Sequence, residues 1–363
     1  MPFLKFCTRL GYTINILQII FGTSIASIKM EMVPAFEVPL GSRKLESKKD
    51  CQDFLSKFHA ILLDCDGVLW RGGELLPHVA ETLEIFRKNK KKLFFITNNS
   101  SKSRSQCREK FLKFGIEVAQ EEIVPVTFAA ADYLSSEHPD VKKAFVVGAQ
   151  GLCDELNGHG IATVGGAAEE FESNFIRSES DFSKVEPDPE VGAVVCGWDT
   201  NFHFAKLCVA SLYLQKSTDC LFVATNLNEY DELGDRNIPG NGCLVKAVET
   251  SVGRPPVVVG KPYPWLIKRI LQQHGLDPAT TIMIGDRIDM DVMLAKNGGT
   301  SSALVMTGCT KMEDIRNGIE AKCMPDFVLP SLGQFAEILK NADDDDDDKR
   351  EMLNSMPNKK QKI

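Results

Sequence analysis

One recurring pattern constrains this chain more than any other: a short apolar run ends in polar residues and is followed by a stretch of helical periodicity. AILLDCD at 60–66 is such a run, apolar on both faces as a strand covered from two sides must be. The stretch 77–90 then carries Val79, Leu83 and Phe86 at helical spacing. KKLFFITNNS repeats the strand pattern, and a helix is expected over 103–114 with Gly115 as its C-cap. A further helix is expected over 128–135. AFVVGA, IATVGG, GAVVCGW and CLFVATN form a second series from about Val141, with a helix over 204–215. From Val257 the first pattern returns: VVVGKP, a helix over 265–274, TIMIGDR, a helix over 289–296, and SALVMTG.

Apolar strands that alternate with helices predict an α/β fold, a doubly wound parallel sheet of Rossmann-like type. The flanking series, 51–140 and 250–342, are expected to form one core sheet, and 141–249 an inserted α/β cap domain. Residues 1–50 read as an N-terminal extension and 170–190 as an exposed polar excursion. The tail 343–363 opens with six aspartates and ends in KKQKI, a composition expected to be disordered.

Ligands of such sheets sit outside the carboxyl ends of the strands. The polar ends of AILLDCD, LFFITNN, VVVGKP and TIMIGDR are therefore expected to meet at one edge. Asp64 and Asp66 are two residues apart, which on an extended chain points both carboxylates the same way. Two close carboxylates repel, and a hard divalent cation such as Mg²⁺ relieves that repulsion. An Asp-Gly turn after a strand is the plainer explanation of this motif alone. Thr97, Asn98 and Asn99 offer a hydroxyl and amide donors suited to phosphate oxygens, although such residues also start helices. Lys261 offers a point charge for phosphate. Asp286 is a third carboxylate for a metal, with Asp289 and Asp291 just beyond; acids are also favourable at a helix N-terminus.

Composition excludes some classes. The formal net charge is −8, against nucleic-acid binding, and six of the negative charges lie in the run 343–348. The stretch 14–20 is apolar but too short to span a membrane. Before Glu31 the chain carries Lys5, Arg9 and Lys29 and no acid, which suits either a targeting presequence or a dispensable extension. The eleven cysteines are odd in number and show no C-x-x-C pair, so a reducing compartment is expected. Two overlapping N-glycosylation acceptors at 98–101 fall in the expected site, against secretion. A cytoplasmic protein is expected, with organelle targeting by the extension as the alternative.

Asp64-x-Asp66-Gly-Val, Thr97-Asn98-Asn99, Lys261-Pro262 and the GDRxxxD run at 285–291 resemble, in this order, the four motifs of the haloacid dehalogenase-like phosphatases. The resemblance covers about 55–335. CGWDTNFHFAKL and GNGCLVKAVE are similar to the branch that holds phosphoglycolate phosphatase, 4-nitrophenylphosphatase and pyridoxal phosphatase. It implies Asp64 as nucleophile and Asp66 as general acid and base. It also implies Mg²⁺ held by Asp64, Asp286 and the backbone carbonyl of Asp66. Thr97, Asn98, Asn99 and Lys261 would then hold phosphate, with Asp291 supporting them from behind. An acid at 66 favours hydrolysis over phosphotransfer, because water needs a base. The segment 226–242 corresponds to the family's specificity loop, and its one cation, Arg236, is a candidate to grip a substrate carboxylate.

2-Phosphoglycolate is therefore the first expectation for the substrate and glycerol-3-phosphate a close second. Pyridoxal phosphate, a phosphoprotein, and an inactive phospholigand-binding role are the alternatives. The expected partner is a small phosphorylated metabolite, with no nucleic acid, no membrane span, and a homodimer through the cap as the family implies.

Overall fold

The computed structural model describes residues 41–166, 178–233, 236–316 and 320–341, and two short strands, Tyr12–Thr13 and Val33–Pro34, that pair antiparallel. Residues 1–40 form one unit and 41–363 another. Apart from those strands, the candidate presequence lies outside the described residues, as do 170–177 of the expected excursion and the acidic tail. Among the described residues no helix is long and apolar enough to cross a membrane.

The parallel strands in chain order are β1 (Ala60–Asp64), β2 (Lys92–Thr97), β3 (Ile123–Pro125), β4 (Lys143–Val147), β5 (Ala162–Gly165), β6 (Ala193–Cys196), β7 (Leu221–Ala224), β8 (Val257–Val258), β9 (Thr281–Gly285), β10 (Ser301–Val305) and β11 (Phe327–Leu329). They form two sheets. The core sheet has the order β11-β10-β9-β1-β2-β3, and the cap sheet the order β8-β7-β6-β4-β5. The core order reverses between β1 and β9, which sets Asp64 beside Gly285 and its successor Asp286. Two antiparallel hairpins flank this edge: Trp70–Arg71 with Glu74–Leu75, and Tyr230–Leu233 with Arg236–Pro239.

Three expectations need correction. The core begins before residue 51. Ser47 caps the helix Lys48–Lys57 with a capping box, and Leu45, Cys51, Phe54 and Phe58 are buried. Arg43 also pairs with Phe327, and its carbonyl accepts the Val328 amide at 2.9 Å. Secondly, β8 extends the cap sheet rather than the core: Val223 pairs with Val257 and Ala224 with Val258. Two residues bury little of their own, so the free edge of β7 decides where they go. Thirdly, the helix expected at 289–296 opens with a π-helical turn, Ile288–Val292, before the α-helical Met293–Gly298. The Val292 amide reaches back five residues to the Arg287 carbonyl at 3.2 Å.

Elsewhere the helices form where periodicity puts them. Ser103 caps Arg104–Lys113 with Gln106 closing the capping box, and Gly115 takes a positive φ of 72° just past its end. On one side of the core sheet, Phe54 packs edge-on against Phe58 and Phe335 at 4.8 Å. Its other side faces the helices Val126–Glu137 and Pro264–His274, and the same buried cluster continues into the cap sheet.

Candidate active site

β1 is buried along its whole length and delivers Asp64 to the sheet edge with only 7% of its surface exposed. The strand stops there. The Cys65 carbonyl accepts the amides of Leu69 at 2.9 Å and Trp70 at 3.3 Å, so the chain turns at once. The alternation of an extended chain therefore ends at Asp64, and Asp66 lies in the turn that follows. The Asp66 side chain is 62% exposed. Its Oδ1 accepts from Trp70 Nε1 at 2.8 Å and from Lys110 Nζ at 3.5 Å. Both acids still line one cavity.

Lys261 arrives from the edge of the cap sheet and is buried. Its Nζ donates to Asp64 Oδ1 at 2.5 Å and to Asp291 Oδ1 at 2.7 Å. Burial opposes the lysine's charge, but the flanking Asp291 and Asp64 outweigh it and raise its pKa. Asp291 also accepts the amides of Asp286 at 3.2 Å and Arg287 at 3.0 Å through Oδ2, which ties the π-helical turn to the end of β9. Asp286 is 2% exposed, and its Oδ2 accepts the Cys309 amide at 2.6 Å.

Asp64, Asp286 and Asp291 each bring a carboxylate oxygen within 4.8 Å of the others. Burial pushes the Asp64 carboxyl up, Lys261 pulls against it, and Asp291 and Asp286 push it further up. Burial also raises Asp286, and the charge of Asp291 adds to that. Acids crowded in this way, with oxygen donors only, fit a hard divalent cation such as Mg²⁺. Asp291 already serves Lys261 and two amides, which leaves Asp64 and Asp286 as the freer ligands.

The polar end of β2 divides its work. Thr97 is buried on the cavity wall, and its Oγ1 accepts the Asn99 amide at 3.1 Å. Asn98 accepts the Lys261 amide at 3.0 Å and donates to the Lys261 carbonyl at 3.2 Å and to Asn228 Oδ1 at 3.1 Å. Its side chain thus holds the lysine loop and the cap. Asn99 accepts from the Ser101 amide at 3.0 Å and from its hydroxyl at 2.9 Å. Arg236 is exposed at the tip of the cap hairpin, two residues before Ile238, and is not among the residues that line the cavity.

That cavity holds about 570 Å³, within the range of small-ligand sites. Sequence reasoning missed several of its residues. Trp198, Tyr230 and Asp231 come from the cap, Arg71 from the first hairpin, and Arg287 from the end of β9. It also missed the loop after β10, whose Gly308 and Cys309 touch Asp286. Its signal was present: SALVMTG is one more apolar run ending in polar residues.

Comparison with known proteins finds relatives over most of the chain. A model of the haloacid dehalogenase-like hydrolases matches residues 61–162, and a second model of hydrolases of that type matches 258–335. Phosphoglycolate phosphatase 2 of Arabidopsis thaliana is 36% identical over 304 residues, 82% of this chain and 99% of that protein. The glycerol-3-phosphate phosphatase of Mus musculus is 37% identical over 300 residues, 79% of this chain and 92% of that protein. The solved p-nitrophenyl phosphatase from Archaeoglobus fulgidus superposes with a TM-score of 0.66 at 30% identity, covering 77% of this chain and 99% of that one.

Proposed function

This chain belongs to the haloacid dehalogenase-like hydrolases, and we propose that it is a Mg²⁺-dependent phosphatase of small phosphorylated metabolites with Asp64 as its nucleophile. One observation carries the proposal: Asp64, Asp286 and Lys261 come from three separate strand ends and meet at one cavity, with Lys261 Nζ 2.5 Å from Asp64 Oδ1. The chain is a phosphoric monoester hydrolase, as its relatives named above are.

Asp64 attacks phosphorus, the bond from phosphorus to the ester oxygen breaks, and an aspartyl-phosphate forms. Asp66 lies on the exposed side of the cavity, where the alcohol departs. It gives its proton to the leaving oxygen and then takes one from the water that hydrolyses the intermediate. Lys261 and the Thr97 hydroxyl hold phosphoryl oxygens, and the backbone at Asn98 and Asn99 completes that cradle. Asp291 keeps Lys261 charged and aimed. Asp64, Asp286 and the Asp66 carbonyl would hold Mg²⁺, which when bound neutralises charge on the transferring phosphoryl group.

Cys51, Cys65, Cys196 and Cys220 are buried free thiols, which supports an intracellular setting. Pairing of two copies through the cap, which the family resemblance implies, belongs to the same proposal, and light scattering tests it.

Phosphate release from 4-nitrophenyl phosphate with Mg²⁺ tests the mechanism. Asp64→Asn should lose activity by several orders of magnitude, roughly a thousandfold or more, while keeping its fold. Equal rates for the two proteins would remove Asp64 from the chemistry.

A further inference from the structure

The phosphoryl end of a substrate is fixed by Asp64, Lys261 and the metal ligands, so the rest of the ester must lie against the cap wall. Trp198, Asn226, Asn228, Tyr230, Asp231 and Ile238 build that wall. Among the described lining residues from the cap there is one carboxylate and no cation.

Asp231 is half-buried on the hairpin strand Tyr230–Leu233, directly across from Ile238, which lines the same cavity. Its carboxylate lies within electrostatic reach of the Asn228 side chain, of Arg287 and of Asp66. Asn228, three residues earlier, is tied to Asn98 Nδ2 at 3.1 Å and to Asn226 Nδ2 at 3.0 Å, which anchors the start of this loop. Arg287 offers no spare charge, because its guanidinium is held by Asp289 at 2.8 and 3.1 Å.

A carboxylate accepts hydrogen bonds and donates none when ionised. It therefore suits a leaving group that carries hydroxyls and repels one that carries a second negative charge, and in a partly buried wall that repulsion is weakly screened. Sites discriminate most strongly when a buried polar group would be left without its partner.

We propose that Asp231 is the specificity-determining residue of the cap, and that it selects phosphate esters of neutral, hydroxyl-bearing alcohols such as glycerol over esters whose alcohol carries a carboxylate, such as glycolate. This rests on the phosphatase reading above. It also reverses the substrate order expected from the sequence, which leaned on Arg236.

The test is kcat/KM for glycerol-3-phosphate and 2-phosphoglycolate in the parent and in Asp231→Asn, with 4-nitrophenyl phosphate as the general phosphatase assay. The parent should prefer glycerol-3-phosphate. The asparagine variant should shift the ratio toward 2-phosphoglycolate by about tenfold, chiefly through a lower KM for that ester. A parent that prefers 2-phosphoglycolate overturns the proposal even if no variant folds, and points instead to Arg71 as a carboxylate ligand. So does a folded Asp231→Asn with an unchanged ratio. A parent that hydrolyses 4-nitrophenyl phosphate but shows the wrong preference refutes the role of Asp231 alone. A parent inactive on all three esters refutes the phosphatase reading, and this proposal with it.

Discussion

Asp286 shows how a single side chain is held by what its neighbours lack. A Cβ on Gly308 would stand 1.8 Å from Asp286 Oδ2, and one on Gly67 would stand 2.7 Å from the same atom. Gly67 also needs a positive φ of 84°, and the Thr307 hydroxyl donates to its carbonyl at 2.6 Å. Two loops thus close on the carboxylate with only backbone between them, and the Cys309 amide takes one of its oxygens. Gly308→Ala must push either the loop or the acid aside. Displacements near 1 Å in such sites cost about a hundredfold in rate. We expect that loss in Gly308→Ala, together with weaker Mg²⁺ binding by calorimetry. Unchanged binding and rate would mean the loop yields freely. Nothing in the residue string signals this contact, because a glycine in a loop reads as a turn until its neighbour is known.

At the scale of the element, the acids at the ends of β1 and β9, the polar end of β2 and the lysine after β8 were legible because each interrupts an apolar run where the chain leaves the sheet. The partners of short or irregular elements were not. β8 has two residues and carries no alternation to read, and the widened turn at 288–292 depends on a carboxylate folding back onto amides at 286 and 287. The junction of β10 and β11 has a similar device. Asp326 precedes β11 and accepts from the Ser302 amide at 2.8 Å, the Ser302 hydroxyl at 2.9 Å and Lys296 Nζ at 3.1 Å. Burial works against its charge, but these donors outweigh it and hold its pKa below the usual carboxylate value. A folded pKa below the unfolded one gives stability that is present above the unfolded value, about 3.9, and is lost as pH falls through the folded value. The side chain is 43% exposed, so solvent screening reduces the gain. Asp326→Asn should cost about 1 kcal/mol at pH 7, read from urea midpoints, and almost nothing at pH 2. An equal difference at both pH values would assign the effect to packing.

Over the whole molecule, the cap was legible as an insertion, but its union with the core was not. A periodic helix announces that it has an apolar face and says nothing of how many sheets share it. The helices Val126–Glu137 and Pro264–His274 lie in one buried cluster with Leu62, Phe94 and Ile96 of the core sheet. Ala144, Val146, Ala193 and Val195 of the cap sheet belong to that same cluster. A chain of asparagines adds polar links: Asn241 Nδ2 donates to Asn226 Oδ1 at 3.0 Å, and Asn226 Nδ2 to the Asn98 carbonyl at 3.2 Å. A helical layer shared between two sheets should couple their stabilities. Leu134 lies in that layer and is fully buried. Leu134→Ala removes part of the packing and should cost about 3 kcal/mol. If the layer is common property, amide exchange in β1 and β6 should accelerate together in this variant, since both strands open with the same unit. Acceleration confined to one sheet would mean that core and cap unfold separately. The site between them would then be held by polar links such as the asparagines and Lys261.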